Sequence, residues 1–198
     1  NRLLTDASNE RRLSRFYDKL AGHTALPSAL IAAKRAQLHT SMQGELNNLS
    51  RFFCDAVLRG KEKREVVADR TRLQSVLASF VVHCPVYRWY GSTFPLPEAE
   101  AESVRNTLQR ASLAEPELRE GFSLLESYLA PAFISGAKAR VKQLSAFYQR
   151  CMQLTGALMA KGLEDTLMYT YHRFTGANEV GGSPAALSLS IDDFHPIM

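Results

Sequence analysis

From Met159 to Thr166 the chain reads Met-Ala-Lys-Gly-Leu-Glu-Asp-Thr, which places Lys161, Glu164 and Asp165 within five residues. Tyr169, Tyr171, His172 and Arg173 follow, and then Asn178-Glu179-Val180-Gly181-Gly182. Flat aromatic rings can cover the apolar side of a pyranose. Charged and amide groups can satisfy its hydroxyls, which are costly to bury unpaired. The segment thus carries the chemistry of a sugar site, with Lys161, Glu164, Asp165, Tyr169, Arg173, Asn178 and Glu179 as candidate substrate-binding residues. By composition alone the favoured reading is a capped helix end bearing surface charges. Glu164 and Asp165 do not qualify as a glycosidase acid and nucleophile. A retaining enzyme sets those carboxyls about 5–5.5 Å apart across the scissile bond, whereas neighbours on a helix do not face each other. Either acid can instead bind a hydroxyl or orient Lys161 or Arg173.

A second aromatic and cationic cluster is Pro85-Val86-Tyr87-Arg88-Trp89-Tyr90. Its rings can stack on a sugar, or fill a helix–helix seam with Arg88 paired to an acid. Tyr87, Arg88 and His172 are therefore secondary candidates.

Other chemistries lack their signatures. The five histidines form no HxxxH or HExxH pair, and Cys54, Cys84 and Cys151 fit neither a metal knuckle nor a CxxC motif. No metal and no cofactor is expected. Scattered cysteines point to reduced thiols in a cytoplasmic protein, with Cys54 and Cys151 as small core fillers. No phosphate loop, nucleotide fingerprint or Ser–His–Asp spacing is present. The net charge of +4 is not gathered into a basic stripe, and the densest run, Lys61-Glu62-Lys63-Arg64-Glu65, mixes both signs. Nucleic acid is not an expected partner. No apolar run approaches the roughly 18 residues of a membrane span. The opening Asn1-Arg2-Leu3-Leu4-Thr5-Asp6 has neither an initiator Met nor a signal-peptide layout, and reads as a piece of something longer.

The elements that must carry these residues are helical almost throughout. Leu13, Phe16, Tyr17 and Leu20 predict a helix over about 9–21, stopped by Gly22. Leu38, Met42, Leu46, Leu49, Phe53 and Ala56 form one stripe of a second helix, about 27–59, with Gly60 as its stop. At about 1.5 Å per residue it would extend nearly 50 Å, too long for a compact barrel helix but suited to a projecting subdomain. A third helix, about 67–83, uses Leu73, Val76, Leu77, Phe80 and Val81. A fourth, about 98–112, begins with Glu98, Glu100 and Glu102, where acids complement the helix dipole. Pro116 opens a fifth, with Leu118, Phe122, Leu125 and Leu129 inward and Pro131 as a kink or end. A sixth, about 136–154, uses Val141, Leu144, Tyr148 and Cys151 or Met152. No long alternating run predicts a strand. Gly156 marks a change of character, so residues 156–198 read as short helices and loops.

With these residues set out, the chain resembles the maltooligosyltrehalose synthases. The resemblance rests most specifically on Met159 through Thr166, Tyr169, Tyr171, Arg173 and Asn178 through Gly182. Ile191-Asp192-Asp193-Phe194-His195, Phe80 through Tyr90, Ala32-Ala33-Lys34 through Leu49, and Asn1 to Gly22 follow in the family's order. His172, Ala177 and Cys84 depart from the asparagine, leucine and phenylalanine expected there. The resemblance implies an α-amylase-type (β/α)8 barrel with insertions. It also implies an isomerase of trehalose biosynthesis, an intramolecular transglucosylase that converts the reducing-end α-1,4 bond of a maltooligosaccharide into an α,α-1,1 bond. The nucleophile and proton donor would precede the region matching Asn1 and a third acid would follow that matching Met198, leaving no catalytic residue here. The expected fold is all-α: residues 1–155 as an irregular helical bundle inserted in, and packed on, the barrel, and residues 156–198 as a substrate-site segment returning to it. The competing readings are a free-standing helical interaction module and a small intact enzyme. The interaction module leaves the matches in family order unexplained, and the absence of an initiator Met and of a barrel's alternating strands argues against the small enzyme.

Overall fold

A computed structural model describes residues 5–22, 25–58, 70–134 and 141–188. They form seven principal helices: α1 Glu10–Ala21, α2 Leu26–Thr40, α3 Gln43–Phe52, α4 Arg70–His83, α5 Glu98–Ala114, α6 Arg119–Phe133 and α7 Val141–Met159. No strand occurs among the described residues, so the all-α expectation holds. The charged run 61–65, the Gly60 stop, residues 136–140, the opening four residues and the stretch 191–195 lie outside them.

The chain packs as two compact units, one of Asn1–Lys34 with Ala160–Met198, the other of Arg35–Met159. The larger unit is built around α4, whose Leu73, Val76, Leu77, Ala78, Phe80, Val81 and Val82 are all buried. A helix apolar on nearly every side requires neighbours on every side, and α3, α5, α6 and α7 supply them. Close approach is part of the design. A Cβ added at Gly121 on α6 would stand 2.5 Å from Val76 Cγ2. Phe147 of α7 stacks at 4.7 Å on Phe53, which also meets the Tyr128 ring edge-on at 5.6 Å. Cys54, Cys84 and Cys151 are buried free thiols, as small core fillers should be.

Two sequence expectations need correction. The long second helix is broken: α2 ends at Thr40 and α3 starts at Gln43. Thr40 Oγ1 donates back to Ala36 O at 2.9 Å and Ser41 Oγ to Gln37 Oε1 at 3.0 Å. Side chains that compete for local bonds weaken a helix, and Met42 leaves the helical region at φ −121° and ψ 18°. Second, Gly156 ends nothing. The helix runs on through α7, widens to a π-helix at Ala160–Leu167, and adds one turn at Met168–Thr170. Leu154, Ala157, Leu158 and Met159 flank Gly156 with good helix formers, and a single glycine among them is tolerated.

One part-buried polar cluster ties α2, α4 and the end of α5 together in the larger unit. Arg35 Nη2 meets Glu115 Oε1 at 2.6 Å, and Ser79 Oγ donates to the same oxygen at 2.7 Å. Burial pushes the Glu115 carboxyl up, but the Arg35 and Ser79 hydrogen bonds and the charges of Arg35 and His83 outweigh it, leaving the group below its ordinary 4.5. A lowered folded value contributes stability above about pH 4.5, and that contribution fades as pH falls through the folded value. Glu115→Gln should therefore melt below the wild type at neutral pH, with the gap narrowing under acid. Melting curves at about pH 7 and about pH 3.5 check this, and a gap of constant size would refute it.

Candidate functional site

The motif predicted from sequence sits on the π-helical segment Ala160–Leu167 of the smaller unit. Thr166 Oγ1 donates to Lys161 O, five residues back, at 2.8 Å, which fits the wider turn. A π-turn inside an α-helix is a recurrent feature of functional sites. Here it coincides with Lys161, Glu164 and Asp165.

Lys161 Nζ pairs with Asp165 Oδ2 at 2.5 Å, with both side chains about half exposed. The Asp165 carboxylate, by hydrogen bond and by charge, holds Lys161 above its ordinary range, so it is a cation throughout the physiological range. Glu164 is half-buried and Tyr169 is 75% exposed. A cation, an acid and an open ring face thus stand along one short stretch.

Arg173 and Asn178 are placed differently. Arg173 Nη2 donates to Pro184 O at 2.7 Å and to Ala185 O at 3.1 Å. Its Nη1 donates to Ser14 Oγ at 3.3 Å and lies 3.6 Å from Glu10 Oε1. The guanidinium also stands 5.9 Å from the centre of the Tyr171 ring. Asn178 Nδ2 donates to Met168 O at 2.9 Å and to Tyr171 O at 2.6 Å. The Arg173 Nη groups and the Asn178 amide thus bond the chain itself, Arg173 linking residues 184–185 to α1. His172 is exposed, and its backbone N–H donates to Tyr17 Oη at 3.3 Å. Glu179 is exposed on a turn whose Gly181 has φ +79°, a conformation glycine adopts without strain.

Tyr87 and Arg88 belong to the larger unit. Arg88 stands 5.0 Å over the Tyr90 ring, and both Arg88 and Tyr90 are exposed. Trp89 is buried, and its backbone N–H donates to Met152 Sδ at 3.4 Å. The buried ring of Trp89 is packing, while Tyr87 is 40% exposed. No group of three or more potential metal ligands occurs among the described residues.

Two contributors were not singled out in sequence. Tyr17 meets Tyr171 edge-on at 5.2 Å, and with Glu10 and Ser14 it forms the side of α1 that holds the loop. The steps of four and three between Glu10, Ser14 and Tyr17 were the available signal. Lys34 is 1% exposed and lies under Gly162. A Cβ at Gly162 would stand 2.5 Å from Lys34 Cγ, 3.0 Å from its Cα and 3.1 Å from its N. Because two of those atoms are backbone, the clash has no easy relief. Gly162→Val should cost about 3 kcal/mol, the upper end for overpacking, and lower the melting temperature by several degrees. A variant melting with the wild type would show that α2 and the π-helix do not approach so closely.

The described residues thus define a helical domain with a polar and aromatic cluster on a π-turn. No family model matches the chain. In sequence it is similar to two Mycobacterium tuberculosis proteins, of strains CDC 1551 / Oshkosh and ATCC 25618 / H37Rv, that carry the name maltooligosyl trehalose synthase. Identity to each is 29% over 197 residues, which is 98% of this chain and 22% of theirs. In fold it is similar to a mutant maltooligosyltrehalose synthase from Arthrobacter ramosus, with a TM-score of 0.70 and 27% identity over 99% of this chain and 22% of that one. The chain spans about a fifth of the length of the relatives it matches. It corresponds, in sequence and in fold, to a piece of a maltooligosyltrehalose synthase. No helix among the described residues is long and apolar enough to cross a membrane.

Proposed function

We propose that this chain is the helical insertion and substrate-site segment of a cytoplasmic maltooligosyltrehalose synthase. The parent is an isomerase that moves the reducing-end glucose of a maltooligosaccharide from an α-1,4 to an α,α-1,1 bond. It works by retention, through a glycosyl-enzyme on one carboxylate with a second as proton donor. Both carboxylates belong to an α-amylase-type barrel outside this chain, against which the present residues pack. Residues 1–155 supply the helical insertion and 156–198 return to the barrel. The observation that carries this reading is the match over nearly the whole chain, by sequence and by fold, to proteins of that one name.

Within the parent, Lys161, Glu164, Asp165 and Tyr169 border the sugar at the bond-forming end. The freed glucose must turn and be recaptured before water intervenes. That needs polar contacts that hold it and a closed surround. A charged pair with about half its surface open, next to an open tyrosine face, can provide such contacts. Arg173, which bonds the loop and α1, and Asn178, which bonds Met168 and Tyr171, serve by shaping the segment, with Glu179 and His172 at its edge. Tyr87 and Arg88 offer a second stacking surface. A crystal structure of the full-length parent with a bound maltooligosaccharide tests this placement. Lys161 or Glu164 should lie within about 2.6–3.2 Å of a sugar hydroxyl. Separation of all four residues from every sugar atom by more than a bridging water would overturn it.

A further inference from the structure

The α1 helix, Glu-Arg-Arg-Leu-Ser-Arg-Phe-Tyr-Asp-Lys-Leu-Ala, has three distinct sides at about 100° per residue. Glu10, Ser14 and Tyr17 face the loop through the contacts to Arg173, His172 and Tyr171. About a quarter-turn away, Leu13, Phe16 and Leu20 form an apolar stripe. Arg11, Arg12, Arg15 and Lys19, with Asp18 beside Arg11, occupy the remaining arc. The helix buries no residue at all. Phe16 is 60% and Leu20 72% exposed, although the loop side of the same helix is engaged.

The two units differ sharply in what they bury. The larger holds a full core around α4, from Leu38 to Met159, whereas the described part of the smaller buries few apolar side chains, among them Leu167, Met168, Ala177 and Leu187. An amphipathic helix with an uncovered apolar stripe is normally held by a surface that covers it. Relatives of this chain are between four and five times its length, since it spans 22% of them. We infer that the Leu13/Phe16/Leu20 stripe of α1 docks on the remainder of the parent polypeptide, on an apolar patch bordered by carboxylates. Those carboxylates face Arg12, Arg15 and Lys19, which have no acidic partner among the described residues. The smaller unit is thereby the one fixed to the parent through α1, with the motif segment attached to the same helix by Arg173. The inference deepens the proposed function by naming the docking face, and it needs from that reading only that a longer parent exists.

The test is hydroxyl-radical footprinting of the full-length parent, which requires no substitution, read at Phe16 and Leu20 by mass spectrometry. Uncovered side chains of this exposure should oxidise within about threefold of their rate in the urea-unfolded protein. The docked stripe should be at least about tenfold slower. Maleimide labelling of Phe16→Cys and Leu20→Cys parents, each referenced to its own unfolded rate, should agree. Rapid oxidation at both positions overturns the inference. So does protection that is lost on dilution, which would assign the stripe to a second copy, or protection that appears only with added maltopentaose, which would assign it to sugar. A parent that shows protection but forms no trehalose end would refute the proposed activity and leave the docking face standing.

Discussion

The purified 198-residue chain, incubated with maltopentaose, is expected to form no trehalose end and to release no glucose. Retaining glycosyl transfer needs two carboxyl groups about 5–5.5 Å apart on opposite sides of the scissile bond. On the π-helical segment the acids are Glu164 and Asp165, neighbours on one helical turn, and Asp165 is already paired with Lys161. In the larger unit Glu115 is locked to Arg35 and Ser79. Glu100 accepts from Tyr148 Oη at 2.7 Å and from the Gly91 N–H. Such acids hold structure together and do not flank an open cleft. The check is chromatographic detection of glucose and of non-reducing products, on a sample shown to be helical by circular dichroism. Turnover that co-purifies with the chain would place the catalytic carboxylates inside it and refute the proposed division of labour.

In the full-length parent, Lys161→Ala and Glu164→Gln are expected to slow trehalose-end formation roughly ten- to a hundredfold. Hydrogen bonds from charged groups to hydroxyls contribute about 1.5–3 kcal/mol each, and about 1.4 kcal/mol is tenfold in rate. Both variants should also release a larger share of free glucose, because a poorly held glucose escapes to water more often. Folding should be nearly untouched. The Lys161–Asp165 pair is about half exposed, and surface pairs contribute at most about 1 kcal/mol. The rival role, fixing the π-turn by their mutual contact, predicts the reverse pattern of a lowered melting temperature and an unchanged ratio of isomerisation to hydrolysis. Measuring melting temperature, trehalose ends and glucose on the same preparations separates the two.

Local pattern carries much of the fold. The spacing of Leu73, Val76, Leu77, Phe80 and Val81 is enough to place α4, and all five side chains are buried. The break at Ser41 and Met42 is hidden because Leu38 and Leu46, both buried, keep their helical spacing across it. What breaks the helix is a pair of hydroxyl side chains competing for nearby acceptors, which the apolar stripe does not register. The π-helix was equally hidden. Its crowded contact at Gly162 comes from Lys34, more than a hundred residues earlier, and nothing within Met159–Thr166 announces it. The residue types of the candidate site are plain in the sequence, and their geometry is not. Lys161, Glu164, Asp165 and Tyr169 do share one stretch, but Arg173 and Asn178 turn inward to Ser14, Pro184, Met168 and Tyr171. Residue type suggested sugar contacts for both. Long-range packing assigned their donors elsewhere.

The central claim is the reaction of the parent, and the structure of its product tests that most directly. Full-length enzyme acting on maltopentaose should yield a compound of unchanged mass that has lost its reducing end. Nuclear magnetic resonance of that compound should show an α,α-1,1 linkage at the terminus. A product mixture of shorter maltooligosaccharides and glucose, each with a reducing end, would identify the parent as a hydrolase and contradict the account.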